Sequence, residues 1–283
     1  MVGRIAFGAM CQPGAGRVPG VPLLRYFRET LCKSPRGKDW GAFRISEAER
    51  WLADPGALAA WFDESVEIVA SEYRNYQPFH PTGHTFGYRG KTGIRHGDEL
   101  RYTVDVAARL AKRELWHVDG NSRLDFRYID REVPLARAKP KPEQDPGSLL
   151  EVDLFLANAR DRTPILAEVK IGTDECPFYA LTQLLTQAAY AVTPSQRERL
   201  VLFGSRPDFV LLEAVDGTPA RTDLYVLLVN PPENPPYGDL LTVAIALSRN
   251  LMRDPRIANR IRRIAWLKGA EPPEGGLALE YIA

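Results

Sequence analysis

Cysteine is scarce in this sequence, with three among 283 residues. Cys11, Cys32 and Cys176 cannot all pair, so no disulfide framework is expected and a reducing, cytoplasmic setting is. Long apolar runs are missing too: none approaches the roughly 18–20 residues of a membrane span. The opening residues, 1–11, hold a short apolar patch but no convincing signal-peptide core with a cleavage site. Charge of one sign is also absent. Lys and Arg number 37 against 36 Asp and Glu, a net charge of +1, so no overall field draws the chain onto nucleic acid. Any such contact has to come from a local patch. Internal repeats, Walker-type loops and G-x-G-x-x-G are all lacking, which removes support for a nucleotide cofactor.

Histidines number four, and His80, His84 and His96 fall in one stretch. Pro81 and Gly83 make the His80/His84 spacing a loop rather than a helix face. No cysteine is near, so the strong zinc spacings do not occur. The same stretch, 75–97, interleaves Lys91, Arg95 and Arg89 with Tyr76, Phe79, Phe86 and Tyr88. That mixture suits base stacking and phosphate contact, and equally suits an ordered loop over a core.

What remains is ordinary for a globular protein: 45% hydrophobic and 26% charged residues. Residues 1–97 read as a mainly helical and loop appendage, with 1–20 as a flexible lead-in rich in Gly and Pro. A short helix is expected over 23–31. Ser46 and Glu49 fit a capping box, and one or two helices follow, broken at Asp54-Pro55-Gly56. Residues 98–283 read as the core, opening with a helix over 98–116 whose apolar stripe is marked by Leu100, Val104, Ala107, Leu110 and Leu115.

A strand is expected over 123–136, then a polar excursion over 138–147. Two alternating runs follow, 149–157 and 163–171, joined by a turn around Arg160 and Asp161. Alternation bounded by turn residues predicts an antiparallel hairpin. A tight turn there puts Asp153 opposite Glu168 and Glu151 opposite Lys170, with Cβ atoms about 4.5–5.5 Å apart. Two carboxylates so close repel unless a positive charge lies between them. A hard divalent cation such as Mg²⁺ or Mn²⁺ supplies one, with Lys170 beside it on the same face. The plain alternative is a solvent-facing hairpin with a Glu168/Lys170 ion pair worth a fraction of a kcal/mol. Against that stand the apolar residues flanking both strands and the apolar helix after them, because buried charges need a reason. That helix is expected over 178–192, with Gln183 and Gln187 one turn apart on one face.

An acid on one strand, Glu-x-Lys on the next and a helix after them resemble the PD-(D/E)XK nuclease superfamily, on Asp153, Glu168 and Lys170. The resemblance is clear over about 40 residues and reaches nothing before Gly97. It implies an α+β, α/β/α sandwich-like fold: a central mixed β-sheet flanked by helices, with a restriction-endonuclease-like core. It implies a Mg²⁺- or Mn²⁺-dependent hydrolase of the deoxyribonuclease type, an endonuclease or an exonuclease. Asp153, Glu168 and the Val169 carbonyl would hold the metal, with Glu99 on the first core helix as a candidate addition. Lys170, Gln183 and Gln187 would complete the catalytic set. The partner implied is nucleic acid, DNA before RNA, with no membrane and with a homodimer left open. A different class stays open as well, an inactive nuclease-fold module that binds nucleic acid or protein.

Beyond the hairpin, strands are expected over 199–203 and 223–229, with a short one over 209–212. After the proline-rich connector at 231–236, helices are expected over 238–252 and from Asp254-Pro255 onward. On the last, Ile257, Ile261 and Ile264 mark the buried stripe. Arg256, Arg260 and Arg263 share a spacing that makes them the candidate phosphate-facing surface, or else a solvated face.

Overall fold

The computed structural model describes residues 21–31, 40–73, 103–137, 148–172, 176–205, 207–215, 218–233, 235–271 and 277–283. The helices are α1 (Pro22–Tyr26), α2 (Trp40–Ala53), α3 (Pro55–Tyr73), α4 (Thr103–Leu110), α5 (Pro177–Ala191), α6 (Pro194–Gly204), α7 (Tyr237–Leu251) and α8 (Pro255–Ala258). The strands are β1 (Phe126–Arg137), β2 (Ser148–Asn158), β3 (Pro164–Ile171), β4 (Ala214–Val215), β5 (Thr218–Pro219), β6 (Thr222–Val229), β7 (Ile261–Ala270) and β8 (Ala278–Tyr281). Six of them form one mixed sheet in the order β1-β2-β3-β6-β7-β8. The fold is α+β, with helices on both faces of that sheet.

The first three strands pair antiparallel, as strands consecutive in sequence can. The centre is parallel, β3 to β6 and β6 to β7, and β8 returns antiparallel. Parallel strands are covered on both faces and so need apolar residues at successive positions; β6 is buried along its whole length. Its even-numbered residues Leu224, Val226 and Leu228 join one apolar cluster with residues of α1, α2, α3, α5 and α7. Its odd-numbered Tyr225, Leu227 and Val229 join a second with α4, Trp116, Val118, Leu277 and Leu279. The helices of residues 21–73 therefore share a core with the sheet. Among the described residues no helix is long and apolar enough to cross a membrane.

Several expected elements fall differently. Helix α2 starts at Trp40, so Ser46 lies inside it and donates its hydroxyl to the Phe43 carbonyl instead of capping. The break at Asp54 stands, its carboxylate accepting from the Ala57 N–H. Of the helix expected over 98–116 the described part ends at Leu110. There Trp116 leaves to exchange backbone hydrogen bonds with Phe126 at 2.9 and 3.0 Å. Residues 199–203 are helical, within α6, because Thr193-Pro194 starts a helix whose first turn needs no proline N–H. No strand of the sheet runs through 209–212. The helix expected from Asp254 keeps its start, Asp254 accepting from the Arg256 N–H, but lasts only four residues. Ile261 then opens β7, which pairs along β6.

Candidate functional site

Strands β2 and β3 hold the expected register: Leu154 faces Ala167, Phe155 Leu166, Leu156 Ile165 and Ala157 Pro164. The connecting turn is longer than a tight two-residue one. Asn158 carries it, its side-chain oxygen accepting from the N–H groups of Arg160 and Asp161. The ladder ends at Leu154 and Ala167, one step short of Asp153 and Glu168. Where the next strand-to-strand bond would fall, the Asp153 carboxylate reaches across and accepts from the Val169 N–H at 2.9 Å. Alternation also slips in β2. Leu150, Val152, Phe155 and Ala157 share one cluster while Leu154 and Leu156 share the other. That breaks the single face expected for Glu151, Asp153 and Phe155.

Glu168 and Lys170 point to the face that α5 covers, and both are buried, 1% and 5% exposed. The Lys170 ammonium donates to Glu168 Oε1 at 2.8 Å and to Gln183 Oε1 at 3.2 Å. Its Nζ also stands 5.3 Å from the centroid of the Tyr179 ring. Gln187 donates from Nε2 to Glu168 Oε2 at 2.8 Å and to the Glu151 carbonyl at 2.7 Å. Every residue of α5 is buried, so the glutamines have no outer polar face to occupy. Thr182 and Thr186 on the same helix bond its own carbonyls. The two glutamines instead reach to the strand carboxylate and ammonium. Burial first, then the negative charge of Asp153, push the Glu168 carboxyl well above the ordinary carboxylate range, with Lys170 and Gln187 pulling the other way.

Asp153, Glu168, Lys170, Gln183 and Gln187 thus come together. Glu99, Lys91 and Arg95 lie outside the described residues, as do His80, His84 and His96. The three arginines do not form the stripe of one helix, because they sit on α8, the turn after it and β7. Arg256 is bonded to Asp254 and the Gly56 carbonyl, Arg260 to Asp63 and Glu67, and Arg263 to Asp223 and the Arg123 carbonyl. All three hold the protein together rather than stand ready for a phosphate. The residue that sequence reasoning passed over is Tyr179. It reads as one more apolar position of α5, and only the fold places its ring against Lys170.

The donor set suits a hard cation of few protein ligands. Among the described residues no group of three or more His, Cys, Asp and Glu side chains is placed to hold a metal. A cation that keeps several waters needs only one or two carboxylates. Asp153 and Glu168 provide two. In a strand, N–H and C=O of one residue point to the same edge, so the Val169 carbonyl faces the side where Asp153 sits. Gln187 Oε1 is buried with no hydrogen-bond partner, which leaves an acceptor beside Glu168 for a water or its proton. By donor chemistry these residues fit Mg²⁺ or Mn²⁺.

No protein-family model matches the chain, and no curated protein matches it. Among solved structures it is similar to SfsA of Pyrococcus furiosus in complex with Ca²⁺, with a TM-score of 0.22 and 13% identity. The match covers 54% of this chain and 52% of that one, so the chain spans about half the length of that protein. A likeness this faint carries no argument about chemistry.

Proposed function

We propose that the protein is a metal-dependent nuclease with a restriction-endonuclease-like core, hydrolysing phosphodiester bonds of nucleic acid, DNA before RNA. The reading is supported by one observation: the Glu168 carboxylate and the Lys170 ammonium are bonded to each other under a buried helix that lends them two glutamines, while the Asp153 carboxylate accepts from the intervening Val169 N–H, near enough to raise the Glu168 carboxyl's proton affinity. Asp153, Glu168 and the Val169 carbonyl would hold Mg²⁺ or Mn²⁺. When bound, such an ion polarises a phosphoryl oxygen and lowers the proton affinity of its water.

The chain's own part is positioning and charge. Lys170, held by Glu168 and Gln183 and set against Tyr179, is oriented to donate to a phosphate oxygen or the attacking water. Its charge offsets the negative charge that grows on the phosphorus oxygens as the bond breaks. Gln187 fixes the Glu168 carboxylate by donating to Oε2 while anchored on the Glu151 carbonyl, so the carboxylate does not have to be ordered when substrate arrives. Burial excludes bulk water from the ammonium and strengthens each of these interactions.

Purified protein is to be incubated with circular and linear DNA, with and without Mn²⁺, beside Glu168→Ala and Lys170→Ala. Expected is Mn²⁺-dependent loss of substrate that both variants abolish while their circular dichroism stays that of the parent. Cleavage that survives EDTA or either substitution would overturn the reading. Bound DNA without any cleavage would point to the inactive binding module instead.

A further inference from the structure

Tyr179, Gln183 and Gln187 fall at successive fourth positions of α5, so the helix presents them as one row, a turn between neighbours. Two members of that row meet alternate residues of β3. Gln187 donates to Glu168 Oε2 at 2.8 Å, and Gln183 accepts from the Lys170 ammonium at 3.2 Å. Four helical residues rise about 6 Å and two strand residues span about 6.6 Å, so the two repeats keep step. Because the higher-numbered glutamine meets the lower-numbered strand residue, the row runs against β3. Its next member, Tyr179, therefore falls one turn beyond the ammonium, on the side away from Glu168. There Lys170 Nζ stands over the ring, 5.3 Å from its centroid, within the ~6 Å over which a ring's negative face attracts a cation.

The ring is itself held by the N-terminal helices. Phe27, directly after α1, packs against it with centroids 4.7 Å apart and planes tilted 47°. The Arg44 guanidinium of α2 brings a second cation to the same ring, its carbon 5.1 Å from the centroid. Phe27 and Tyr179 are both buried, so the ring has little room to turn. A lysine ammonium is a compact charge on a long, flexible stem. Left to the Glu168 carboxylate it would be drawn onto that group alone. A ring attracting it from the opposite side limits how far it moves.

We propose that Tyr179 is a positioning residue for Lys170: its ring, braced by Phe27, keeps the ammonium from collapsing onto Glu168. The inference rests on the hydrolytic reading above, and in it Tyr179 touches no substrate. Two measurements on the full-length protein test it. Folding is to be followed by urea titration in EDTA at pH 5 for the parent, Lys170→Met, Tyr179→Leu and the double variant. Methionine keeps the lysine stem, so coupling between the two changes reports the charge over the ring. The loss in folding equilibrium constant from Tyr179→Leu should be about 2–30-fold smaller in the Lys170→Met background. Turnover of linear DNA with Mn²⁺ is the second measurement. Tyr179→Leu should lower kcat about 10–100-fold with KM little changed, and Tyr179→Phe, which keeps the ring, should recover most of that loss. A tyrosine that only packs gives additive folding losses and, in the folded variant, the parent's kcat; either result overturns the proposal. If Tyr179→Leu does not fold, phenylalanines of increasing fluorination at 179 keep the ring's shape while draining its negative face. Then kcat should fall stepwise with fluorination, and a constant kcat overturns the proposal. A parent that cuts no DNA while the folding changes still couple overturns the hydrolytic reading itself, and the positioning role with it.

Discussion

Replacing Lys170 by methionine keeps most of the side chain's length and removes its charge. The ammonium is 2.8 Å from Glu168 in a place where both side chains are almost wholly buried. Taking away one partner of such a pair leaves an uncompensated charge, at a cost of about 3–5 kcal/mol. Glu168 has an escape, which is to keep its proton. Folding with that proton in place costs about 1.4 kcal/mol for each pH unit above the ordinary carboxyl value of 4.5. The loss relative to the parent is therefore capped near 5 kcal/mol at pH 8 and below about 1 kcal/mol at pH 5. The sign follows from the carboxyl's raised proton affinity in the fold. Its contribution to stability is full below pH 4.5 and is lost as pH rises toward the folded value, and Lys170→Met moves that folded value higher still. Urea titrations followed by circular dichroism in EDTA, from pH 5 to 9, read the effect directly. A cation of the proposed kind should restore part of the loss at pH 8, since it replaces the missing positive charge. Equal destabilisation at pH 5 and pH 8 would refute the reasoning, because a buried carboxylate would then not be its source.

The site and the core each give one more expected outcome. Because burial raises the Glu168 carboxyl's proton affinity and a cation needs the ionised form, Mn²⁺ binding should release protons, more so as pH falls; calorimetric heats of Mn²⁺ binding should then differ between buffers of unlike ionisation enthalpy. Glu168→Gln should erase that difference and Asp153→Asn should abolish the uptake. Gly204→Ala should destabilise by about 1–3 kcal/mol through overpacking, read as a lowered Tm, because a Cβ there would lie 2.5 Å from Leu211 Cδ1 and 2.6 Å from Phe155 Cε1.

The hairpin is legible in the sequence because its information is local: period-2 alternation and a turn between two runs give the register of Leu154 with Ala167 without knowledge of the rest. Helix α5 is legible for the same reason. The misreadings lie where short apolar runs suit either period. Arg199 to Phe203 reads as a strand, yet Pro194 after Thr193 has already started α6. Ile257, Ile261 and Ile264 recur at helical spacing, but Ile261 and Ile264 belong to β7, whose pairing with β6 is parallel and far away in sequence. Arg263 goes with them. On that strand it is claimed by Asp223, a fully buried carboxylate that Arg262 also holds at 2.6 Å. Nothing in the local sequence states that partnership.

The buried polar set around α5 bears on function for an energetic reason. Glu168, Lys170, Gln183 and Gln187 are each at most 6% exposed, and they bring an ionisable pair, two amides and an unpartnered oxygen into the interior. Apolar side chains of the same volume would commonly serve stability as well or better. A fold that needed only a sheet packed on a helix would place there the kind of residue that surrounds them on α5, namely Leu181, Leu184, Leu185 and Ala188, all fully buried. The tertiary structure gives no use for this polarity. The hydrolytic reading proposed above would give it one, because that chemistry requires an ammonium and two carboxylates held in place before the substrate arrives.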